Sequence, residues 1–178
     1  MLTNIANIKL NTVLEDETTE WIVIYTKSRR EKKIAHYCTN ENIKYYLPLE
    51  QRMKLYGRKK VQTTLPLFPG YLFCIANEKE RYKLLLTHQI AKILNVPNQN
   101  KLLEDLEKLF IAESSDLNLT PWELNVEGKK ARIEAGPMKG IEGIISRVKG
   151  EYRIILNVNF IKRAAAVEVD RSYISLLN

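Results

Sequence analysis

The order of strand and helix signals in residues 21–96 restricts the possible folds of this 178-residue chain more than any other feature. The β-branched and aromatic run WIVIYT, residues 21–26, predicts a buried strand. Ser28 then stands three positions before Glu31, the spacing of a capping box, which predicts a helix to about Asn42. Two long strands joined by a turn at residues 57–60 are expected to follow.

Asn77 and Glu80 repeat the capping spacing and predict a second helix to about Thr87, after which IAKILNV reads as a further strand. A third, amphipathic helix is predicted near residues 101–112. The order strand, helix, strand, strand, helix, strand is that of the split βαβ arrangement, in which helices cover one face of an antiparallel sheet. We therefore expect an α+β fold.

Glycine is concentrated near the C-terminus, where five of the seven glycines lie between residues 128 and 150 and separate β-branched runs. Short strands with tight turns are typical of a small barrel. Five strands are predicted, at residues 129–134, 141–148, 152–158, 164–169 and 173–175. The predicted domain plan is a loosely ordered extension (1–20), an N-terminal domain (21–112), a linker (113–127) and a barrel (128–178).

The positive charge is distributed in two blocks. The chain carries a net charge of +7, of which residues 21–63 contribute +8 and residues 128–178 contribute +5, whereas residues 1–20 and residues 64–127 carry −3 each. Such blocks indicate contact with a polyanion, although a solvated lysine-rich surface is the other interpretation. No apolar run approaches the roughly 18 to 20 residues that span a membrane. Because residues 1–20 also lack the pattern of a signal peptide, we expect a cytoplasmic protein.

The sequence offers no convincing set of catalytic or metal-binding residues. His36 and His88 have no nucleophile-like partner in a recognisable turn, and GPMKG at residues 136–140 lacks the ending of a phosphate-binding loop. Cys38 and Cys74 fall in a predicted buried helix and strand without metal-ligand spacing, so we expect reduced structural thiols. We expect neither an enzyme nor a cofactor.

Two groups of side chains remain as candidates for binding. The aromatic group surrounds the segment LPLFPGYLFC and consists of Tyr25, Phe68, Tyr71 and Phe73. These residues are either core residues or an exposed docking patch; a bulge or bend at Pro69 and Gly70 would re-aim the two that follow it. The cationic group lies on or just before the first helix and consists of Lys27, Arg29, Arg30, Lys32 and Lys33. It either binds phosphates or is a solvated helix face.

Three ordered stretches resemble the NusG family of transcription elongation factors. WIVIYTKSRREKKI and LPLFPGYLF are similar to its NGN domain, and GKKARIEAGPMKGIEGII is similar to its KOW motif. The resemblance runs from Trp21 to Asn178 and implies a ferredoxin-like split βαβ sandwich followed by a five-stranded, SH3-like KOW barrel. The long basic turn, the wording PLFPGYLF and the acidic N-terminal extension resemble specialised antiterminators of the RfaH/UpxY type most.

This resemblance implies a monomeric elongation or antitermination factor, with surface-polysaccharide operons as candidate targets. In the family, the NGN domain docks on the clamp helices of the largest RNA polymerase subunit, bridges the cleft and suppresses pausing. The positions that match the polymerase-binding pocket are Tyr25, Phe68, Tyr71 and Phe73. The positions that would face the non-template DNA strand are Lys27, Arg29, Arg30 and Lys33.

The KOW domain of the family recruits a small-subunit ribosomal protein or the termination factor Rho. Phe160, in VNFIKR, stands where the family carries an exposed aromatic for this contact, and a barrel-core position is the open alternative. An RNA- or ribosome-binding KOW module is the alternative function. A pure RNA binder does not need an aromatic cluster beside its basic helix, which favours the polymerase-binding factor.

Overall fold

The computed structural model describes residues 18–124 and 128–177, apart from the side chain of Tyr56. It is a mixed α/β structure in which neighbouring strands pair in the antiparallel direction. Of the predicted extension at residues 1–20, only residues 18–20 lie within the described part. No helix in the two described ranges is both long enough and apolar enough to cross a membrane.

The helices and strands follow the predicted order closely, with additional strands. In chain order they are β1 (Glu20–Thr26), α1 (Glu31–Asn40), β2 (Lys44–Tyr46), β3 (Leu49–Tyr56), β4 (Lys59–Pro66), β5 (Tyr71–Ala76), α2 (Glu78–Leu86), β6 (Ile90–Asn95), α3 (Gln99–Ser114), β7 (Thr120–Trp122), β8 (Lys129–Ile133), β9 (Glu142–Val148), β10 (Glu151–Val158), β11 (Arg163–Val169) and β12 (Ile174–Leu176), with 3₁₀ turns at Asn159–Ile161 and Arg171–Tyr173.

The chain divides into two compact units. The first contains the described residues up to Pro48 together with Phe68–Leu103, and the second contains Leu49–Leu67 together with the described residues from Glu104 onward. The division falls within α3.

The first unit is built on a four-stranded antiparallel sheet with the strand order β2-β5-β1-β6. Its two central strands are the most apolar, and their buried positions include Trp21 to Ile24 on β1 and Leu72 to Ala76 on β5. Gln99, at the start of α3, accepts a hydrogen bond from the Trp21 N–H (2.7 Å) and donates to the Trp21 carbonyl (2.9 Å). This side chain therefore satisfies backbone groups at the beginning of β1.

The two long strands predicted on either side of residues 57–60 are each interrupted. The chain leaves the four-stranded sheet after Tyr46 and returns at Tyr71, and the intervening β3 and β4 pair only with each other as a separate two-stranded sheet in the second unit. Pro48, Pro66 and Pro69 stand at the breaks. Because proline has no N–H to donate to a ladder, Pro48 and Pro69 favour an end to the pairing with the main sheet, while Pro66 is the last paired residue of β4.

The two predicted capping boxes have different outcomes. At α2 the box is confirmed: the Glu80 N–H donates to Asn77 Oδ1 (3.0 Å), and the Asn77 N–H donates to Glu80 Oε2 (2.8 Å). At α1 the prediction is wrong, because the helix begins after Arg30 with no side-chain cap. The Glu31 side chain binds the Gly70 N–H instead.

The second unit contains a six-stranded antiparallel sheet with the order β12-β8-β9-β10-β11-β7. The five strands predicted at residues 129–175 are present, each end lying within one residue of the prediction. The sixth, β7, lies in the stretch predicted as a linker and pairs with β11, where Pro121 stands opposite Ala165. Trp122 packs against a buried cluster that includes Ile155 and Ala164, so this part of the stretch belongs to the folded unit.

Candidate functional site

The segment LPLFPGYLFC contains a tight turn at its centre. The Tyr71 N–H donates to the Phe68 carbonyl (3.0 Å), which closes a four-residue turn with Pro69 and Gly70 in the middle. Gly70 has a φ of +88°, as a type II turn requires at its third position, and proline is favoured at the second. The bend predicted here is thus a β-turn that ends where β5 begins, and not a bulge within a strand.

Hydrogen bonds from two other elements hold this turn. The Gly70 N–H donates to Glu31 Oε1 (2.6 Å) at the start of α1, and the Gly70 carbonyl accepts from the Thr26 N–H (2.8 Å) at the end of β1. Glu31 is only 6% exposed. A buried carboxylate that accepts a backbone N–H gives a strong, charge-assisted hydrogen bond. The turn, the end of β1 and the start of α1 therefore form one fixed assembly.

Two tyrosines lie beside this turn. Tyr25 and Tyr71 are opposite each other in the β1–β5 register, and their ring centres are 5.2 Å apart at an interplanar angle of 49°. Tyr25 is 44% exposed, while Tyr71 is half-buried. A Cβ at Gly70 would lie 2.9 Å from Tyr25 Cε2, so glycine also allows the ring to rest on the turn. We call Tyr25 and Tyr71 the tyrosine pair.

The other two aromatic candidates occupy a different environment. Phe68 is 2% exposed and Phe73 is fully buried, where its ring centre lies 6.5 Å from that of Tyr46. Tyr71 and Phe73 share a face of β5, as expected, but Tyr71 is the first residue of the strand and Phe73 lies further along it, opposite Val23. The structure brings together the tyrosine pair as an accessible surface and places Phe68 and Phe73 in the interior.

The predicted cationic residues follow directly after Tyr25 in the chain. Lys27, Arg29 and Lys33 are exposed, and Arg30 is half-buried. The Arg30 N–H donates to the Lys27 carbonyl (3.1 Å) in a turn where Arg29 has a φ of +58°. Within the part of the chain that the structure describes, none of these four side chains forms a salt bridge. Their charges are therefore available to an anionic partner.

Phe160 lies in the second unit, in the 3₁₀ turn Asn159–Ile161, and is half-buried. The turn is held by Asp105 on α3, whose Oδ2 accepts from the backbone N–H (2.9 Å) and from Nδ2 (3.1 Å) of Asn159. Sequence reasoning missed Asp105, which is only 2% exposed. Its position between Leu102 and Leu109, on the apolar side of α3, was the available signal, since a carboxylate there needs a partner.

The two cysteines are closer together than the sequence indicated. Their sulfur atoms lie 3.9 Å apart, and both thiols are free and buried. Burial raises the pKa of the Cys74 thiol well above its usual range, with the neighbouring Cys38 as a further contribution. No group of three or more potential ligands for a metal ion occurs in residues 18–124 and 128–177.

The turn, the tyrosine pair and the cationic segment all lie within residues 19–112, which match the family model of the transcription termination factor NusG. This match defines the class of the protein as a transcription elongation factor, and the proteins of the matching family are non-enzymatic transcription factors. Because the matched residues make up more than half of the sequence, the chain belongs to the NusG family.

Other comparisons add little. A search of curated proteins gave no match. Among solved structures, the crystal structure of the MjSpt4:Spt5 complex in conformation B is 20% identical over 89% of this chain and 97% of the other. Its TM-score is 0.27, so this similarity supports no conclusion about arrangement or partners.

Proposed function

We propose that this protein is an antitermination factor that docks on the clamp helices of the largest RNA polymerase subunit. It bridges the cleft there, contacts the non-template DNA strand and suppresses pausing or termination. The single observation that carries the proposal is the tyrosine pair. An exposed aromatic held in a fixed position is the usual anchor of a protein interface, because little side-chain freedom is lost on binding.

The Pro-Gly turn supports this role for the tyrosine pair. Gly70 is held at both its N–H and its carbonyl by Glu31 and Thr26, and the Tyr25 ring lies against it. An exposed tyrosine with no partner normally samples several rotamers. Here the turn and Tyr71 restrict the ring, which presents a preformed apolar surface to the polymerase. Phe68 and Phe73 support this surface from the interior.

The cationic residues beside the pair give the proposal its DNA contact. In the proposal, Lys27, Arg29, Arg30 and Lys33 bind phosphates of the exposed non-template strand, whose unpaired bases cost little to engage. Because these residues follow directly after Tyr25 in the chain, they lie at the same part of the polymerase when the protein is docked through the tyrosine pair. Charge reversal there is expected to weaken the antipausing effect more than the affinity for polymerase.

The finer fold assignment belongs to the same proposal. The strand order β2-β5-β1-β6 supports a ferredoxin-like NGN domain within residues 21–112, and β8 to β12 support a KOW barrel within residues 128–178; in the intervening residues 113–127, β7 pairs with the barrel strand β11. The half-buried Phe160 is the proposed contact for Rho or a small-subunit ribosomal protein. We place the protein in the cytoplasm as a monomer without cofactor, enzymatic activity or membrane contact. We also assign it to the RfaH/UpxY-type antiterminators with surface-polysaccharide operons as targets.

The proposal is tested by measuring affinity for RNA polymerase elongation complexes. The double variant Tyr25→Ala with Tyr71→Ala should lose at least about thirtyfold in affinity, since even one interface anchor of this type is worth about 2 kcal/mol or more. Phe73→Ala is not suitable, because it would leave a cavity in the core.

Tyr82→Ala on α2 is the matched control, since Tyr82 is a 65% exposed tyrosine of the same unit that lies outside the proposed surface. It should bind like the parent. A folded double variant that binds as tightly as Tyr82→Ala would refute docking through the tyrosine pair. Retained binding to ribosomes or RNA with no polymerase binding by the parent would favour the RNA- or ribosome-binding module.

A further inference from the structure

A cavity of about 330 Å³ lies at one end of the six-stranded sheet in the second unit. Its apolar lining includes Ile145 and Ile174, and Tyr152 forms part of its wall. On adjacent strands Arg147 stands opposite Tyr152, and Ile145 stands opposite the fully buried Ile154. Because side chains alternate along a strand, Tyr152 and Ile154 share a face. The cavity therefore lies at one end of the sheet face that carries the buried Ile154, opposite the face of the cluster around Ile155.

Three cations line this cavity, and two of them are positioned by the same aromatic ring. The guanidinium carbons of Arg147 and Arg171 lie 5.2 and 5.7 Å from the centre of the Tyr152 ring, and Lys129 is the third cation. Arg171 also donates from Nη1 to the Ile174 carbonyl (3.0 Å). Cation–π contacts orient a guanidinium but leave most of its N–H donors unused.

Among the residues that the structure describes, no carboxylate lines the cavity. Three glutamates of the same unit pair with arginines outside the cavity lining: Glu142 with Arg132, and Glu151 and Glu168 with Arg153. Asp170, next to Arg171 in the chain, accepts from the backbone N–H and the hydroxyl of Ser172. Lys129, Arg147 and Arg171 are all exposed, and three like charges lining one cavity favour the binding of an anion among them.

We propose that this cavity binds single-stranded nucleic acid, as a site separate from the tyrosine pair and its cations. A phosphate group is bound by Arg147, Arg171 and Lys129, and a neighbouring unpaired base lies against a guanidinium plane and the apolar lining. Planar guanidinium and aromatic groups beside phosphate-binding cations are the features that recognise unstacked nucleotides. An acidic peptide would use the cations but would not need the stacking surface.

The test uses the full-length protein and two fluorescein-labelled probes, a 12-nucleotide oligouridylate and a 12-nucleotide oligothymidylate, with binding followed by fluorescence anisotropy. Arg147→Ala with Arg171→Ala should weaken binding of the preferred probe by at least about tenfold. The slope of log affinity against log salt should also fall by about 0.7, as expected when one single-strand phosphate is no longer neutralised. The preferred probe identifies the strand as RNA or DNA.

Two controls separate the site from general electrostatic attraction. Lys139→Ala with Arg163→Ala removes the same charge from exposed positions outside the cavity and should change affinity by less than about threefold. Arg147→Lys with Arg171→Lys keeps the charge but removes the planar groups, and should retain the salt dependence while losing affinity. An equal loss in both charge-removing variants would overturn the proposal, as would equal competition by inorganic polyphosphate.

Crosslinking distinguishes this site from the proposed DNA contact of the first unit. An oligonucleotide with 4-thiouridine should crosslink to a peptide containing Tyr152, and the Lys27→Glu with Lys33→Glu variant should retain that crosslink. Crosslinks confined to the peptide that contains residues 27–33 would overturn the cavity proposal without affecting the polymerase proposal. Conversely, a parent protein that crosslinks at Tyr152 but does not dock on the polymerase would overturn the polymerase proposal and leave the cavity proposal standing.

Discussion

Gly70→Ala disturbs the turn that supports the tyrosine pair in two ways. Gly70 has a φ of +88°, and an L-residue in the left-handed region costs about 1–2 kcal/mol. The new Cβ would lie 2.9 Å from Tyr25 Cε2, so the ring must shift, and we expect this shift to break its contact with Tyr71. Loss of that aromatic contact adds about 0.5–1.5 kcal/mol, for a total of about 1.5–3.5 kcal/mol in the free energy of unfolding.

Gly150→Ala is the matched control. Gly150 also has a φ of +88°, but no atom would lie within 4 Å of its Cβ, so this variant carries the backbone strain alone. Each variant is unfolded in urea and followed by the tryptophan of its own unit, with Trp122→Phe as the background for Gly70 and Trp21→Phe for Gly150. The difference between the two losses isolates the contact with Tyr25.

The affinity for RNA polymerase is then measured for both variants. Gly70→Ala should lose several-fold in affinity because Tyr25 no longer lies in its fixed position, whereas Gly150→Ala should bind like the parent. The reasoning is refuted if Gly70→Ala costs no more stability than Gly150→Ala. It is equally refuted if the two variants bind polymerase alike.

Three further results are expected. Glu31→Ala leaves the amide of the Pro-Gly turn without its buried acceptor and should cost about 1–3 kcal/mol in urea unfolding, while Glu31→Gln, which can still accept, should cost less. Asp105→Ala removes both acceptor contacts to Asn159 and should lower the thermal midpoint of the second unit, with a calorimetric loss of about 1–3 kcal/mol. Cys38 and Cys74 should react with a thiol reagent at pH 8 only when urea unfolds the first unit. Both thiols are buried, and the raised pKa of Cys74 keeps its thiolate scarce. Rapid reaction of the folded protein would contradict this prediction.

Local sequence signals predicted the helices and strands better than the long-range contacts and strand pairings between them. The capping spacing occurs at Ser28 and Glu31 and again at Asn77 and Glu80, yet only the second pair forms a box. The difference arises from Gly70, 39 positions after Glu31, whose amide takes the carboxylate. A partner that distant cannot be read from a four-residue pattern. The separate β3–β4 sheet was missed for a similar reason, since strand propensity does not state which strand is the partner.

The sequence named the residues of the candidate site, but it did not predict which of their side chains are exposed and which are buried. Alternation along β5 puts Tyr71 and Phe73 on one face, but it does not say how far each lies from the end of the strand. Tyr71 opens the strand and is half-exposed, whereas Phe73 lies within it and is buried. The cavity at Tyr152 left no recognisable sequence signal, because its cations come from separate elements.

Site-specific photocrosslinking tests the central claim of polymerase docking most directly. A benzoylphenylalanine is placed at Tyr25 in one protein and at Tyr82 in a control, and each is irradiated in a stalled elongation complex. The account predicts that the probe at Tyr25 crosslinks to the clamp helices of the largest polymerase subunit and that the probe at Tyr82 does not. The same crosslinks from both positions, or none from Tyr25 to that subunit, would contradict it.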